Sequence, residues 1–203
     1  SASNLDVILG KDLNDSLFTK GYIVEYYFSA TDLNGITGYL PTNADEGGAF
    51  EFMCLPLDDE VDVLFVDDFD GRGSWDGLVQ DYWDPTFAHV MSAELPERYD
   101  VNSPSSCVGN GLSSCIDVDN LGTYYNTIIW DCGDLSVGTI GVGTDDKTVD
   151  TDLLEGWFTD KQGHLHDTNL LVMGERLMLD LTIEGAVNFK TNVLGADLDR
   201  ANY

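Results

Sequence analysis

The sequence predicts an α/β fold: an open, mostly parallel, doubly wound sheet preceded by antiparallel β-strands. Two patterns lead there. Short apolar runs, VDVLFV (61–66), TIIWDC (127–132) and NLLVMG (169–174), have strand length and the composition of strands covered on both faces. Helix-spaced segments alternate with them, as in a sheet wound by crossover helices.

In chain order, KGYIVEYYFSA (20–30) is rich in alternating and aromatic β-formers, and GAFEFMCLPL (48–57) reads as its antiparallel partner. The turn-rich TDLNGITGYLPTNADEGG between them carries an Asn-Gly pair suited to a hairpin. Residues 1–57 are too short for a complete sandwich and are expected to be a partial β-domain or a packing arm. Residues 58–203 are expected to form the α/β domain. In it WDGLVQDYW (75–83) is spaced as a short helix, and RYDVN (98–102) follows as the second strand. TDLLEGWFTDKQG (151–163) is a helix with a glycine stop, and ERLMLDLTIEGAVNF (175–189) continues as helix after NLLVMG.

Composition narrows the function classes. Nine Lys and Arg stand against 37 Asp and Glu, a formal charge of −28. Such a surface repels phosphate backbones and anionic lipid, so nucleic acid is not an expected partner. No run approaches the ~20 apolar residues of a spanning helix, so membrane insertion is not expected either. The same acidity suits divalent cations, cationic partners, a saline medium or solubility alone. SASNLDV at the start has no basic region followed by an apolar stretch. That abrupt start suggests a piece of a longer chain.

Four cysteines are present. Cys107 and Cys115 flank VGNGLSS, and a disulfide there would staple a short loop in an oxidising compartment; connectivity does not follow from sequence. Cys54 and Cys132 lie in apolar runs and read as buried thiols. Cys132 also stands at the C-terminal end of a strand, where open α/β sheets bind ligands. It is therefore the one candidate catalytic nucleophile, with His89, His164 or His166 as base. Asp131 and Asp134 beside it disfavour the thiolate that such a role needs.

The turn Asp67-Asp68-Phe69-Asp70-Gly71-Arg72-Gly73 concentrates carboxylates after the first parallel strand. Asp67, Asp68 and Asp70, joined by Asp131 and Asp134 on a neighbouring strand end, form a candidate site for Ca²⁺ or Mg²⁺ through oxygen ligands. The competing reading has these carboxylates bonding turn amides. The loop is neither an EF-hand nor a phosphate cradle, since it lacks the later acidic ligands and the GxGxxG pattern. His164, His166 and Asp167 would clip a transition metal or lie in a solvated loop. Trp75, Tyr82 and Trp83 would form a carbohydrate-binding face or, at helical spacing, part of the core.

Val63-Leu64-Phe65-Val66-Asp67-Asp68, Ile128-Ile129-Trp130-Asp131-Cys132-Gly133-Asp134 and Leu170-Leu171-Val172-Met173-Gly174-Glu175 together resemble the strand ends of secreted, uncharacterised class I glutamine amidotransferase-like domains. The resemblance covers about two thirds of the chain and implies a flavodoxin-like sheet. It also implies that residues 20–57 are the last strands of an immunoglobulin-like or fibronectin-like domain. Active members carry a G-x-C-x-G elbow, whereas Val172-Met173-Gly174-Glu175 stands here, with no His-x-Glu pair downstream.

The expected function is a non-catalytic binding or structural module of a secreted or cell-surface multidomain protein, with Ca²⁺ as the candidate ion and surface protein or carbohydrate as partner. The alternatives are a cysteine- or metal-dependent hydrolase at the strand rim, and an extracellular assembly subunit that forms homo-oligomers through its N-terminal strands.

Overall fold

The structure is a computed structural model that describes residues 23–46, 49–53, 57, 61–69, 79–91, 95–101, 111–143, 148–159 and 168–196. Its centre is a four-stranded, all-parallel sheet of β5 (Val63–Asp67), β6 (Glu97–Asp100), β7 (Thr127–Asp131) and β8 (Asn169–Met173), in the order β6-β5-β7-β8. This is an open flavodoxin-like α/β sheet, in which the first strand lies between the second and third. Phe65 is in register with Arg98 on one side and Ile129 on the other, and Ile129 with Leu171.

Helix α1 (Gln80–Val90) links β5 to β6, α2 (Val118–Tyr124) links β6 to β7, and α3 (Asp150–Thr159) links β7 to β8. The first crossover moves one way along the sheet and the next two move the other way. Right-handed connections therefore put α1 on one face and α2 with α3 on the other. On the α1 face, Trp83 and Phe87 stack at 4.9 Å and both rings reach Phe65, at 5.3 and 5.4 Å. Trp83 thus belongs to the core, while Tyr82 beside it is exposed. On the opposite face Leu64, Val66, Ile128 and Trp130 are fully enclosed, and each such side chain contributes roughly 1.5–3 kcal/mol. The Trp157 indole of α3 donates to the Tyr125 carbonyl at 3.1 Å, tying α3 to the end of α2.

Several expectations need adjustment. The first helix is placed at 75–83 by apolar spacing, yet α1 runs from Gln80 to Val90 and through Pro85, because Phe87 supplies core contacts beyond it. The expected helix at 151–163 is realised over Asp150–Thr159. NLLVMG is not a buried strand: β8 is the edge of the sheet, with Leu171 exposed. The single helix expected over 175–189 breaks after α4 (Leu177–Ile183). Gly185, at φ +80°, donates to Thr182 and Ala186 donates to Leu181, a glycine C-cap that ends the helix. A π-helical turn, Phe189–Val193, then packs on α3.

The N-terminal part forms a two-stranded ribbon. β1 (Ile23–Tyr26) pairs antiparallel with β4 (Phe50–Met53), as expected, and β2 (Phe28–Thr31) pairs with β3 (Thr37–Leu40), which lies inside the stretch read as a loop. Asp32 closes the tip: its carboxylate accepts from the amides of Ile36 at 2.9 Å and Asn34 at 2.8 Å. These amides, Ile36 foremost, hold the Asp32 carboxyl below its ordinary range. β4 lies against β6, and Glu97 of β6 accepts from the Leu57 amide and the Tyr125 hydroxyl. The ribbon therefore covers the β6 edge, where Glu97, Arg98, Tyr99 and Asp100 are all buried.

Candidate functional site

In this strand order the crevice where ligands bind lies beyond the carboxyl ends of β5 and β7, because the chain leaves β5 in one direction and later returns on its other side. The acidic residues singled out from sequence stand here. Asp67 is in register with Asp131 on one side and Asp100 on the other. Hydrogen bonds continue the ladder past the strands: Asp68 N–H to Asp131 O at 3.0 Å, Cys132 N–H to Met173 O at 2.8 Å, and Glu175 N–H to Gly133 O at 2.9 Å.

Strand alternation divides the carboxylates between the two faces. On the α1 face, Asp67 accepts from the Phe69 amide at 3.0 Å. Asp131 accepts from the Gly133 amide at 2.9 Å and from the Trp83 indole at 2.7 Å. On the other face, Asp68 accepts from the Trp130 indole at 3.3 Å. Both Asp67 and Asp131 thus hold a loop amide two residues on, so each rim turn is built by its own aspartate. Asp134 is exposed to solvent. Among the described residues no group of three or more His, Cys, Asp or Glu side chains is arranged to hold a metal ion. Asp70, His164, His166, Asp167 and Trp75 lie outside the described residues, and His89 stands exposed on α1.

Phe69 closes the centre of the rim. Gly133 adopts φ +52°, and a Cβ there would lie 2.4 Å from the Phe69 ring. The glycine is required twice over, by a left-handed backbone and by the ring resting on it.

Cys132 is fully buried, and its thiol donates to the Thr139 carbonyl at 2.9 Å. Thr139 in turn donates from its amide at 2.8 Å and its hydroxyl at 2.9 Å to Asp180 of α4. This chain fastens the loop after β7 to α4. Cys115 is disulfide-bonded; Cys107, its expected partner, lies outside the described residues.

A second polar centre escaped sequence reading. Asp150, buried at the start of α3, accepts from the Ser113 amide at 2.8 Å and the Thr148 hydroxyl at 3.2 Å. Gly111 and Gly141 lie so close that a Cβ on either would meet its carboxylate within 3 Å. Beside it, residues Ser113–Val118, Thr148, Val149, Asp152 and Leu153 line an open cleft of about 700 Å³.

No helix among the described residues is long and apolar enough to cross a membrane. Comparison with protein-family models, curated proteins and solved structures finds no match for this chain.

Proposed function

We propose that the chain is a non-catalytic binding or structural module of a secreted or cell-surface multidomain protein, with an amidotransferase-like sheet whose reactive rim serves the fold. The observation that carries this reading is the commitment of the rim. Asp131 is taken by an amide and an indole, Phe69 lies over Gly133, and the Cys132 thiol is enclosed and bonded to a carbonyl. A thiol nucleophile needs access to substrate and a base within hydrogen-bond reach. A hydrolase at this rim is accordingly the less favoured reading.

The half-cystine at Cys115 supports an oxidising compartment, and with it the Cys107–Cys115 pairing. Protein or carbohydrate at the cell surface is the partner class that goes with that location. The described rim favours structural carboxylates over a Ca²⁺ site, because Asp68 is separated by the sheet from Asp67 and Asp131 and all three already accept protein donors.

Thermal melting with and without excess Ca²⁺ or Mg²⁺ tests this. A melting temperature unchanged by either ion is expected. A ligand at a hundred times its Kd adds ~2.7 kcal/mol, so a clear upward shift would overturn the structural reading of the rim.

A further inference from the structure

We propose that the cleft between the starts of α2 and α3 binds a small organic cation, an ammonium carried on an apolar body. The site shares no residue with the strand rim, so it stands or falls apart from the reading of that rim. Its volume of about 700 Å³ falls within the ~300–1,000 Å³ of small-molecule sites. Ile116, Val118, Val149 and Leu153 supply apolar lining, and of these Ile116 and Leu153 are buried.

The charge around this lining has one sign. Val118 rests against α3 at Gly156, where a Cβ would lie 2.8 Å from Val118 Cγ2. Asp117 immediately precedes Val118, and Asp152 stands one turn before Gly156 on the same face of α3. The two carboxylates therefore flank the contact, one from each helix, and both residues are exposed. Behind Thr148 of the lining lies the buried carboxylate of Asp150, 3.2 Å from its hydroxyl. No Lys, Arg or His is among the described residues that line the cleft.

Helix N-termini attract anions, and two border this cleft, so the balance of charge decides the ligand. Each terminus presents at most about half a positive charge. Together they offset about one charge, while Asp117 and Asp152 alone bring two, with Asp150 behind them. Ser113, also in the lining, adds a second signal. Its enclosed hydroxyl meets no hydrogen-bond partner, a costly state that an N–H donor held in the cleft would relieve. An anion would meet carboxylates, and a compact hydrated cation would gain nothing from the apolar lining. An amine on an apolar body satisfies both parts.

Nuclear magnetic resonance titration of the full chain tests the proposal, in ~0.15 M salt, where the Debye length is ~8 Å and distant charges are screened. The probes are 2-phenylethylamine, 2-phenylethanol (the same body without the charge) and methylamine (the charge without the body). The first should shift amides within 113–118 and 148–153 to saturation, and the other two should bind about tenfold or more weaker. Asp117→Asn with Asp152→Asn removes the two charges, and asparagine caps α2 as well as aspartate does. This pair should weaken phenylethylamine by about tenfold and leave phenylethanol unchanged. Asp45→Asn with Glu46→Gln makes the same change of charge at an exposed turn of the N-terminal ribbon and should alter neither. Shifts that are absent or fall outside the cleft overturn the proposal. So do either control probe binding as tightly as the amine, and equal losses from the two pairs of substitutions.

Discussion

Replacing Gly133 by alanine probes the rim at its tightest point. At φ +52° an alanine is held in the left-handed region, which costs about 1–2 kcal/mol. Its Cβ would also stand 2.4 Å from Cγ of Phe69 and 2.5 Å from Cδ2, so the ring has to leave its place. Overpacking of this kind costs ~1–3 kcal/mol. The sum is about 2–5 kcal/mol, which for a chain of this size lowers the melting temperature by roughly 5–15 °C. Urea denaturation of the wild type, Gly133→Ala, Phe69→Ala and the double variant separates the two parts. In the Phe69→Ala background the alanine should cost only its backbone share, leaving a coupling of about 1–3 kcal/mol between the two positions. An equal cost in both backgrounds, or a loss under ~1 kcal/mol in the wild type, would refute the claim that Phe69 rests on Gly133.

Two further outcomes follow from the same geometry. Asp150→Ala removes the buried acceptor of the partly buried Ser113 amide and the Thr148 hydroxyl. It should cost about 2–4 kcal/mol in urea denaturation, with Asp150→Asn closer to wild type, whereas a loss within ~0.5 kcal/mol would contradict the clamp. The Asp32 carboxyl is depressed from its ordinary value of 3.8 by the tip amides, so its stabilising effect is present above that value and is lost as pH falls through the lower, folded one. Amide exchange at Asn34 and Ile36 should therefore accelerate in acid relative to the strands of the parallel sheet, and Asp32→Ala should abolish that difference.

The parallel strands were the legible part of this chain. β5, β7 and β8 are apolar runs that end in aspartate or glycine, and the pattern holds because their residues meet packing on one face or both. Strand order is set by the crossovers, which explains why β8 reads as buried yet forms an edge. β3 was hidden because Thr37-Gly38-Tyr39-Leu40 lies among turn residues and its pairing with β2 depends on the Asp32 tip. α2 is only seven residues long and contains Gly122 and Thr123. Its one local signal is Asp117, which caps the helix by accepting from the Asn120 amide at 2.8 Å.

The candidate site was legible in position and not in direction. Asp67 and Asp131 fall at the sheet's carboxyl edge, where the sequence put them. Adjacent residues of a strand face opposite sides, so Asp67 and Asp68 are separated by the sheet itself. The Trp83 bond to Asp131 joins residues 48 apart and exists only once α1 has docked. Asp150 offered no motif at all, since its partners come from loops on either side of α2 and β7.

The central claim, that the rim is closed and its thiol is structural, is tested most directly by labelling native protein with a maleimide at neutral pH and locating the adduct by peptide mass spectrometry. Cys132 should remain unlabelled while the protein is folded and react fully in denaturant, because the thiolate has to reach solvent before it can attack. Rapid labelling of Cys132 in the folded protein would contradict the claim and return the rim to consideration as a catalytic site.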